Sequence, residues 1–390
     1  MKIWNCKFMN MKKILSIIFM LLIFCYFFLN QESYAKERFV ELNLKQNDRI
    51  DIPIPLNENE IFFAGGWDQH EATDPKTGKW HYEADTFPAR VYDLKTRKFK
   101  QLDSYLKTTR SYQGAIKYDN NNILILGGYC TKDCRFAADN YNIAENSFEK
   151  LDKTPLRYDR GTQDGLIKTN KQVFIVTELG IMEFDIKTKK FKKLLTFDNN
   201  SQMSSYNAKL VDGDNILIWG GDYYAINGKL FEGYKGRILK YNIPTNKIVE
   251  LLTVDKPFYK NPIAHGIPLD NNRILLSVKG DEEGGTIYVY NYAKNEIEDW
   301  GKTIFGVSVT SGFYLGNNKV LLLGGIIDNG YEPFIKPTYL DYGILDLNTK
   351  KFSKVKKFKG YMFARYSAKV GKNKIFLGPE KNTKAIIVEY

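Results

Sequence analysis

The stretch VYDLKTRKFKQL, residues 91–102, is the first of six copies of one twelve-residue pattern. Each copy has an aromatic or apolar second residue, a polar turn and a second strand with two bulky apolar residues three positions apart. The other copies begin at Asn140, Glu183, Lys240, Val289 and Ile344. A seventh copy, IIVEY from residue 386, stops after its first strand, and RFVEL at 38–42 matches the second strand that it lacks. The pattern therefore predicts a chain that closes into a ring, with its first strand completing its last repeat.

A second hairpin precedes each of these units and gives the repeat four strands. Its two apolar strands flank a tight turn, and such turns favour Asn, Asp and Gly because these residues tolerate positive φ. Seven such turns occur, at Asn57–Asn59, Asp119–Asn121, Thr169–Lys171, Asp212–Asp214, Asp270–Asn272, Gly316–Asn318 and Gly371–Asn373. Four-stranded units that recur every 43 to 57 residues are typical of β-propellers. The sequence thus predicts an all-β, seven-bladed propeller closed by its N-terminal strand.

Glycine doublets end the second strand of four of these units. They occur in IFFAGG (61–66), ILILGG (123–128), ILIWGG (216–221) and VLLLGG (320–325). In this feature the chain resembles kelch-repeat propellers over residues 38–390, although the blades with VFIVTE, ILLSVKG and IFLGPE depart from the doublet. The resemblance implies the fold and leaves the function open, because kelch propellers serve as enzymes, adaptors and binding modules.

The segment before the ring has the order of a secretory signal. Two lysines, Lys12–Lys13, precede the apolar run 14–29, and a short polar stretch ends in Ser-Tyr-Ala, which predicts cleavage after Ala35. The run has 16 residues, fewer than the roughly 20 that a membrane-spanning helix needs, so an uncleaved anchor is the lesser alternative. We therefore expect a signal peptide at 1–35, with translation starting at Met1 or at Met11. The single propeller would follow at 36–390 in a secreted or periplasmic protein with no stable membrane span.

The charge of the chain does not identify a partner. Its net charge of +12 falls to +9 without residues 1–35, because four lysines and one glutamate are lost (53 basic minus 44 acidic residues). A modest excess of this size is typical of a solvated surface, and an acidic partner is the alternative. No basic stripe with interleaved aromatic residues occurs in the sequence, so no nucleic-acid partner is predicted.

Two of the four cysteines remain after cleavage, Cys130 and Cys134, in the sequence GGYCTKDCRF. Two cysteines four positions apart in an exported loop predict a disulfide bond that fixes the shape of the loop. A metal site is the alternative, but it needs two more ligands and no histidine lies nearby in sequence. We predict neither a metal nor another cofactor for this chain.

The predicted binding face lies around the mouth of the central channel. The loops between second and third strands meet there in a propeller of this type, and those of blades 1, 2, 4 and 6 are long and rich in aromatic residues. Polar residues gather at the entries to the first strands, which line the channel. The candidate ligand-binding residues are Arg110, Gln113, Arg160, Gln163, Tyr206, Asn207, His265, Arg365, Trp67 and Tyr223.

The chemistry of these candidates suits a carboxylate or a sugar. Arginine binds carboxylates through two parallel hydrogen bonds, and aromatic rings with amide and hydroxyl neighbours suit a sugar ring. The structural alternative is that the arginines pair with acidic loop residues such as Asp159 and Glu232 and hold the ring together. We therefore expect a binding module for a glycan or an extracellular protein.

The sequence supports an enzymatic function less well than a binding function. The copper site of the galactose-oxidase type needs two His, two Tyr and a Tyr–Cys cross-link. This chain has three His, and the two Cys that remain after cleavage are predicted to bond to each other, which disfavours such a site. His70 and His81 with Asp68 and Glu71 could bind a metal, but a polar loop is more often merely solvated. No nucleophile elbow or phosphate-binding glycine loop occurs in the sequence.

A sugar mutarotase or epimerase is the main alternative function. The stretch INGKLFEGYKGR, residues 226–237, is similar to the loop of bacterial sialic-acid mutarotases that carries Asn-Gly, a Glu and an Arg. That resemblance implies Glu232 and Arg237 as catalytic residues, and the spacing of the family is not kept. General acid/base catalysis would require Glu232 at the channel mouth.

Overall fold

The described part of the chain is entirely β-structure. The computed structural model describes residues 38–45, 52–73, 76–78, 80–108, 110, 113–128, 134–158, 165–197, 207–220, 225–226, 229–230, 237–253, 263–270, 272–281, 284–302, 309–324, 339–359, 367–378 and 384–390. Within these ranges there are seven four-stranded antiparallel sheets, two two-stranded ribbons and no helix. The sheets belong to one compact unit, residues 39–389. A second unit comprises residues 1–38 and 390, of which only the last residue of the first stretch and Tyr390 are described.

The strands, in chain order, are as follows. The closing strand and blade 1 with its ribbon are β1 (Arg38–Lys45), β2 (Ile54–Pro55), β3 (Glu60–Phe63), β4 (Gly66–Thr73), β5 (Trp80–Phe87), β6 (Arg90–Asp93) and β7 (Lys98–Gln101). Blades 2 and 3 are β8 (Gly114–Lys117), β9 (Asn122–Leu126), β10 (Ala138–Asn142), β11 (Ser147–Lys150), β12 (Leu166–Lys168), β13 (Gln172–Thr177), β14 (Gly180–Asp185) and β15 (Lys190–Thr196). Blade 4 with its ribbon is β16 (Asn207–Asp212), β17 (Asn215–Gly220), β18 (Ala225–Ile226), β19 (Lys229–Leu230), β20 (Arg237–Asn242) and β21 (Lys247–Thr253). Blades 5, 6 and 7 are β22 (Ile263–Pro268), β23 (Arg273–Asp281), β24 (Gly284–Asn291), β25 (Glu296–Lys302), β26 (Val309–Gly316), β27 (Lys319–Gly324), β28 (Tyr339–Asp346), β29 (Lys351–Lys359), β30 (Ser367–Val370), β31 (Lys374–Leu377) and β32 (Lys384–Glu389).

The N-terminal strand completes the last blade, which confirms the predicted ring closure. Blade 7 has the strand order β1-β32-β31-β30, so β1 is its outer strand. Lys384 Nζ of β32 lies 3.5 Å from Glu41 Oε2 of β1. Leu42 and Leu44 are buried in a cluster that also contains Phe376 of blade 7 and Phe63 of blade 1. The closing strand therefore covers an edge of blade 7 and contributes to the core between the first and last blades.

The core lies between neighbouring blades, and the second strands show why these sequences form it. Four consecutive side chains of β9, residues 123–126, are fully buried. Side chains alternate between the two faces of a strand, so Ile123 and Ile125 pack in the cluster shared with blade 1. Leu124 and Leu126 pack in the cluster shared with blade 3. A sheet that is covered on both faces explains the unbroken apolar runs before the glycine doublets.

The seven predicted turns all connect first and second strands, but among the turn residues that the structure describes, positive φ occurs in two blades. Gly316, Asn317 and Asn318 in blade 6 and Gly371 in blade 7 have positive φ. In the other five blades the side-chain oxygen of the first turn residue accepts a hydrogen bond from a backbone N–H two or three residues later. These acceptors are Asn57, Asp119, Thr169, Asp212 and Asp270. Asp and Asn are thus favoured there as hydrogen-bond acceptors that close the turn.

The twelve-residue repeat owes its turn to two fixed positions. The seventh residue of all six copies has φ between 50° and 57°. The third residue is Asp or Asn in every copy, and its side-chain oxygen accepts backbone N–H groups two or three residues later. These hydrogen bonds, led by the one from the following threonine, hold the pKa of Asp93, Asp185 and Asp346 below its usual range. The pattern that predicts the fold is therefore a pattern of turn chemistry as well as of apolar spacing.

Asparagine at the seventh position also connects blades. Tyr141 Oη donates to Asn146 Oδ1 at 2.8 Å, and the amide of that asparagine donates to the carbonyl of Leu102 in blade 1 at 2.5 Å. Asn246 of blade 4 donates in the same way to the carbonyl of Leu194 in blade 3 at 2.9 Å. One side chain thus closes its own turn and binds the outer part of the preceding blade.

The glycine doublets occur where backbone segments approach too closely for a side chain. A Cβ atom on Gly127, at φ +56°, would lie 2.0 Å from the carbonyl oxygen of Tyr158. On Gly65, at φ +80°, it would lie 2.3 Å from the carbonyl oxygen of Phe87. Both the left-handed backbone and the lack of space therefore require glycine at these positions.

Candidate functional site

The structure describes only part of the predicted binding face. The side chains of Arg110, Gln113, Asn207 and Arg237 are described, whereas Trp67 and His265 are placed by their backbone alone, in β4 and β22. Five predicted ligand-binding residues and one predicted catalytic residue lie outside the described residues, namely Arg160, Gln163, Tyr206, Tyr223, Arg365 and Glu232. Their roles stay predictions.

Arg110 is fully buried and bound to its own blade. Its guanidinium donates to Asp139 Oδ2 at 2.5 Å, and the side chains of both residues are 0% exposed. It also donates to the carbonyl oxygens of Thr108 at 2.8 Å and Ile125 at 3.1 Å. These contacts connect the entry to the first strand with the second and third strands of blade 2. The sequence left open whether the arginines bind a ligand or pair with acidic loop residues. The contacts of Arg110 match the second role, but its acidic partner Asp139 lies on a strand.

The electrostatics of this pair follow from its burial. Desolvation lowers the pKa of Arg110, and the negative charge of Asp139 offsets part of that effect. Desolvation raises the pKa of Asp139, and the positive charge of Arg110 opposes the shift. In a buried ion pair of this kind the attraction between the charges offsets the cost of their desolvation, whereas either charge alone would strongly destabilise the fold.

The two buried amides of the predicted set also have structural contacts. Gln113 Nε2 donates to the carbonyl oxygen of Gly65 at 3.0 Å, and the residue is 1% exposed. This hydrogen bond joins the first-strand entry of blade 2 to the glycine doublet of blade 1. Asn207 is the first residue of β16, pairs with Trp219 of β17 and is 6% exposed. Both residues thus lie at the positions that sequence alignment of the blades predicts, and both are nearly inaccessible to solvent.

Arg237 forms a bidentate ion pair with the outer strand of blade 4. Its Nε lies 3.0 Å from Glu250 Oε1 and its terminal nitrogen 2.7 Å from Oε2. The irregular register between Ile238 and Leu239 brings the two residues together across β20 and β21. The guanidinium of Arg237 therefore binds the carboxylate of Glu250 through two hydrogen bonds. The mutarotase alternative assigns a catalytic role to this same guanidinium.

The long connection of blade 1 is a regular ribbon and not an irregular loop. Strands β4 and β5 pair over all eight residues of each strand, from Gly66 opposite Phe87 to Thr73 opposite Trp80. Blade 4 carries a much shorter ribbon, β18–β19, at the same connection between second and third strands. Two of the long loops on the predicted binding face thus contain extended, paired backbone.

The register of β4 and β5 divides the ribbon residues into two faces. Directly paired residues share a face, and faces alternate along each strand. The face that we call the aromatic face carries Trp67, Gln69, Glu71, Thr73, Trp80, Tyr82, Ala84 and Thr86. The opposite face, which we call the histidine face, carries Gly66, Asp68, His70, Ala72, His81, Glu83, Asp85 and Phe87. Both tryptophans and Tyr82 share one face, and both histidines share the other, which ends at Phe87.

Sequence reasoning missed Tyr82, Glu83 and Asp85. The signal that could have found them is the alternation in GWDQHEAT and WHYEADTF, which is typical of strands with two different faces. The segment was interpreted as a loop because it follows a glycine doublet and is long. Pairing between its two halves cannot be inferred from either half alone.

Other predicted features have a mixed outcome. Cys134 is 3% exposed, whereas Cys130 lies outside the described residues, so the disulfide stays a prediction. Among the side chains that the structure describes, no group of three or more His, Cys, Asp or Glu is arranged to hold a metal ion. The predicted signal peptide at 1–35 lies outside the described residues. No helix that could cross a membrane occurs in the described ranges.

Comparison with known proteins adds a structural likeness. No family model and no curated protein matches the sequence. Among solved structures, the chain is similar to the crystal structure of TolB from Acinetobacter baumannii, with 13% sequence identity and a TM-score of 0.41. The alignment covers 76% of this chain and 65% of the TolB chain, which is less than two thirds of that chain's length.

Proposed function

We propose that the protein is an exported, kelch-type propeller that binds a glycan on the face formed by the connections between second and third strands. The observation that supports this proposal is the register of the blade 1 ribbon, which puts Trp67, Tyr82 and Trp80 on one face. The residues between them on that face carry amide, carboxylate and hydroxyl groups. Export rests on the predicted signal peptide at 1–35.

The chemistry of the aromatic face suits a sugar chain. Aromatic rings offer broad apolar surface to the C–H face of a sugar, and they lose little side-chain freedom on binding. Gln69, Thr73 and Thr86 supply amide and hydroxyl groups that can both donate and accept hydrogen bonds, as sugar hydroxyls require. A two-stranded ribbon holds these groups at the regular spacing of a β-strand, about 6.6–6.8 Å between residues on one face.

The polar residues at the channel mouth would extend this surface. Arg160, Gln163, Tyr206, His265, Arg365 and Tyr223 remain the predicted contributors. Arg110 has its hydrogen bonds inside blade 2, and Gln113 binds the backbone of blade 1. We therefore assign these two residues to the framework beneath the binding face, and assign ligand contact to the residues above it.

A glycan array followed by titration calorimetry tests the proposal. We expect the full chain without its signal peptide to bind a defined glycan, and Trp80→Ala and Tyr82→Ala each to weaken binding about tenfold or more, equivalent to about 1.4 kcal/mol. Val249→Ala is the control, because Val249 is also an exposed apolar residue, 53% exposed, but lies on the outer strand of blade 4. Unchanged affinity in both aromatic variants, with the fold intact, would show that the aromatic face is not the binding site.

The same preparation distinguishes the alternatives. If no glycan binds but an extracellular protein does, and Trp80→Ala weakens that complex, the ligand class is protein and the face is retained. Turnover of a sugar anomer that Glu232→Gln abolishes would favour the mutarotase alternative. Arg237→Ala should then reduce turnover as well, although its ion pair with Glu250 gives a structural reason for the residue.

A further inference from the structure

The ribbon of blade 1 has a composition unlike the rest of the chain. The sequence contains 57 Lys and Arg among 390 residues, about one residue in seven, yet the 16 residues of β4 and β5 contain none. The same 16 residues contain four acidic residues and two of the three histidines of the chain. In a basic protein, a segment that has carboxylates and imidazoles but no lysine or arginine is a candidate site for a cation.

The register collects these residues on one face. His70 lies directly opposite Glu83, Asp68 lies directly opposite Asp85, and His81 lies opposite Ala72. Directly opposed residues have Cβ atoms about 4.5–5.5 Å apart, and diagonal neighbours about 7–8 Å apart. His70, Glu83 and His81 therefore form a triangle of adjacent positions on the histidine face. Three of the four acids of the ribbon share that face.

The direct pairing of Asp68 with Asp85 has an electrostatic consequence. Like charges directly opposite each other destabilise a two-stranded ribbon, and no lysine or arginine of β4 or β5 is present to offset them. A bound cation beside Glu83 and the aspartates would remove this repulsion. The ribbon would then be more stable with the ion than without it.

We propose that the histidine face binds one divalent transition-metal ion of the Zn²⁺ class through His70, His81 and Glu83. Two imidazoles and one carboxylate are a donor set that suits first-row transition metals, since calcium and magnesium prefer oxygen ligands alone. Three protein ligands leave a fourth position of a tetrahedral ion open. The adjacent Asp68 and Asp85 raise the negative potential at the site. Because the imidazoles bind as neutral groups, affinity falls when the solution is acidified.

This ligand set differs from the one that chain order suggests. His70 and Glu71 are neighbours in sequence, but the register puts Glu71 on the aromatic face. The sequence interpretation rejected a metal here because it treated the segment as an irregular polar loop. A paired ribbon brings Glu83 into the position opposite His70, which no spacing within one strand reveals.

Titration with Zn²⁺ alone, by calorimetry on the full chain without its signal peptide, tests the proposal. We expect one equivalent to bind, and His70→Ala, His81→Ala and Glu83→Gln each to weaken binding at least tenfold. The matched control is Glu71→Gln, which removes a carboxylate from the same ribbon but from the other face, and it should bind Zn²⁺ as the parent does. His265→Ala should also bind normally, because that histidine lies in β22 of blade 5.

A second readout reports coordination directly. Co²⁺ in place of Zn²⁺ should give visible absorption bands that weaken or shift in His70→Ala and persist in Glu71→Gln. Circular dichroism checks that each variant is folded, and Glu83→Asp should retain part of the affinity because it keeps the carboxylate. The proposal is overturned if the parent binds no Zn²⁺ or if Glu71→Gln loses as much affinity as Glu83→Gln. Trp80→Ala should leave Zn²⁺ binding unchanged, so that failure of the glycan proposal and failure of this one are separable.

Discussion

Replacement of Arg110 by methionine should destabilise the propeller strongly and leave Asp139 as an unpaired buried charge. The variant loses hydrogen bonds to Asp139 and to the carbonyls of Thr108 and Ile125, and the pair is 0% exposed on both sides. Loss of one member of a buried ion pair costs about 3–5 kcal/mol. For about 350 folded residues the entropy of unfolding is about 0.7 kcal/mol per kelvin, so the melting temperature should fall by about 4–7 °C.

Thermal unfolding followed by circular dichroism measures this effect, and two further variants define it. Arg110→Met combined with Asp139→Leu removes both charges, so stability should recover most of the way to that of the parent. Lys190→Ala removes an exposed ion pair with Asp152, in which the two side chains are 69% and 66% exposed, and should change stability by no more than about 1 kcal/mol.

Two results would refute this reasoning. If Arg110→Met melts within a degree of Lys190→Ala, the buried pair does not stabilise the blade. If Arg110→Met keeps its stability but loses affinity for a ligand, Arg110 belongs to the binding face, as predicted from the sequence. The double variant separates these outcomes, because restored stability without restored binding would assign both roles to one residue.

Four further predictions follow from the fold. Deletion of residues 36–44 should expose an edge of blade 7 and lower the melting temperature sharply, and a soluble monomer that melts as the parent does would contradict ring closure. Exported protein should contain a Cys130–Cys134 disulfide, and alkylation of two thiols in unreduced native protein, detected by intact mass, would disprove it. Gly127→Ala should destabilise more than Gly316→Ala, measured by urea unfolding, because both have positive φ but only the first lacks space for a Cβ atom. The pKa values of the three turn aspartates of the repeat are depressed from 3.8, so their contribution to stability should persist above that pH and be lost as the pH falls through the depressed values. A triple Asp→Asn variant, with the residue that blades 2, 4 and 5 already carry, should lose less of its urea midpoint between pH 6 and pH 3 than the parent.

The fold could be predicted from sequence because its determinants are local and repeated. Each copy of the twelve-residue pattern contains its own turn acceptor, its own left-handed residue and its own pair of apolar positions. Asp93 and Arg97, for example, close one turn through contacts within five residues of each other. Ring closure was also predictable, because the half repeat at 38–42 matches the half that the last blade lacks. Repetition turned weak local signals into a reliable count of blades.

The candidate site was less predictable because its determinants are contacts between distant segments. Arg110 was recognised as a polar residue near the channel, but its partner Asp139 lies 29 residues later, on the third strand of the same blade. The position of Asp139 in β10 gives no sign that this residue is buried, since strand residues that face a neighbouring blade are usually apolar. A charge at such a position is tolerated only because Arg110 reaches it.

The ribbon of blade 1 also depends on contacts between separate segments, and these contacts decide which residues share a face. A one-residue change of register between β4 and β5 would exchange the partner of every residue and put the residues of the histidine face opposite those of the aromatic face. With the observed register, His70 faces Glu83 and Trp80 faces Thr73, so two separate surfaces exist on one structural element. The two proposals for this protein therefore depend on one structural feature. A variant that shifts the register, by deletion of one residue from the turn at positions 76–78 that connects the two strands, should reduce both glycan affinity and Zn²⁺ affinity while the seven blades still fold.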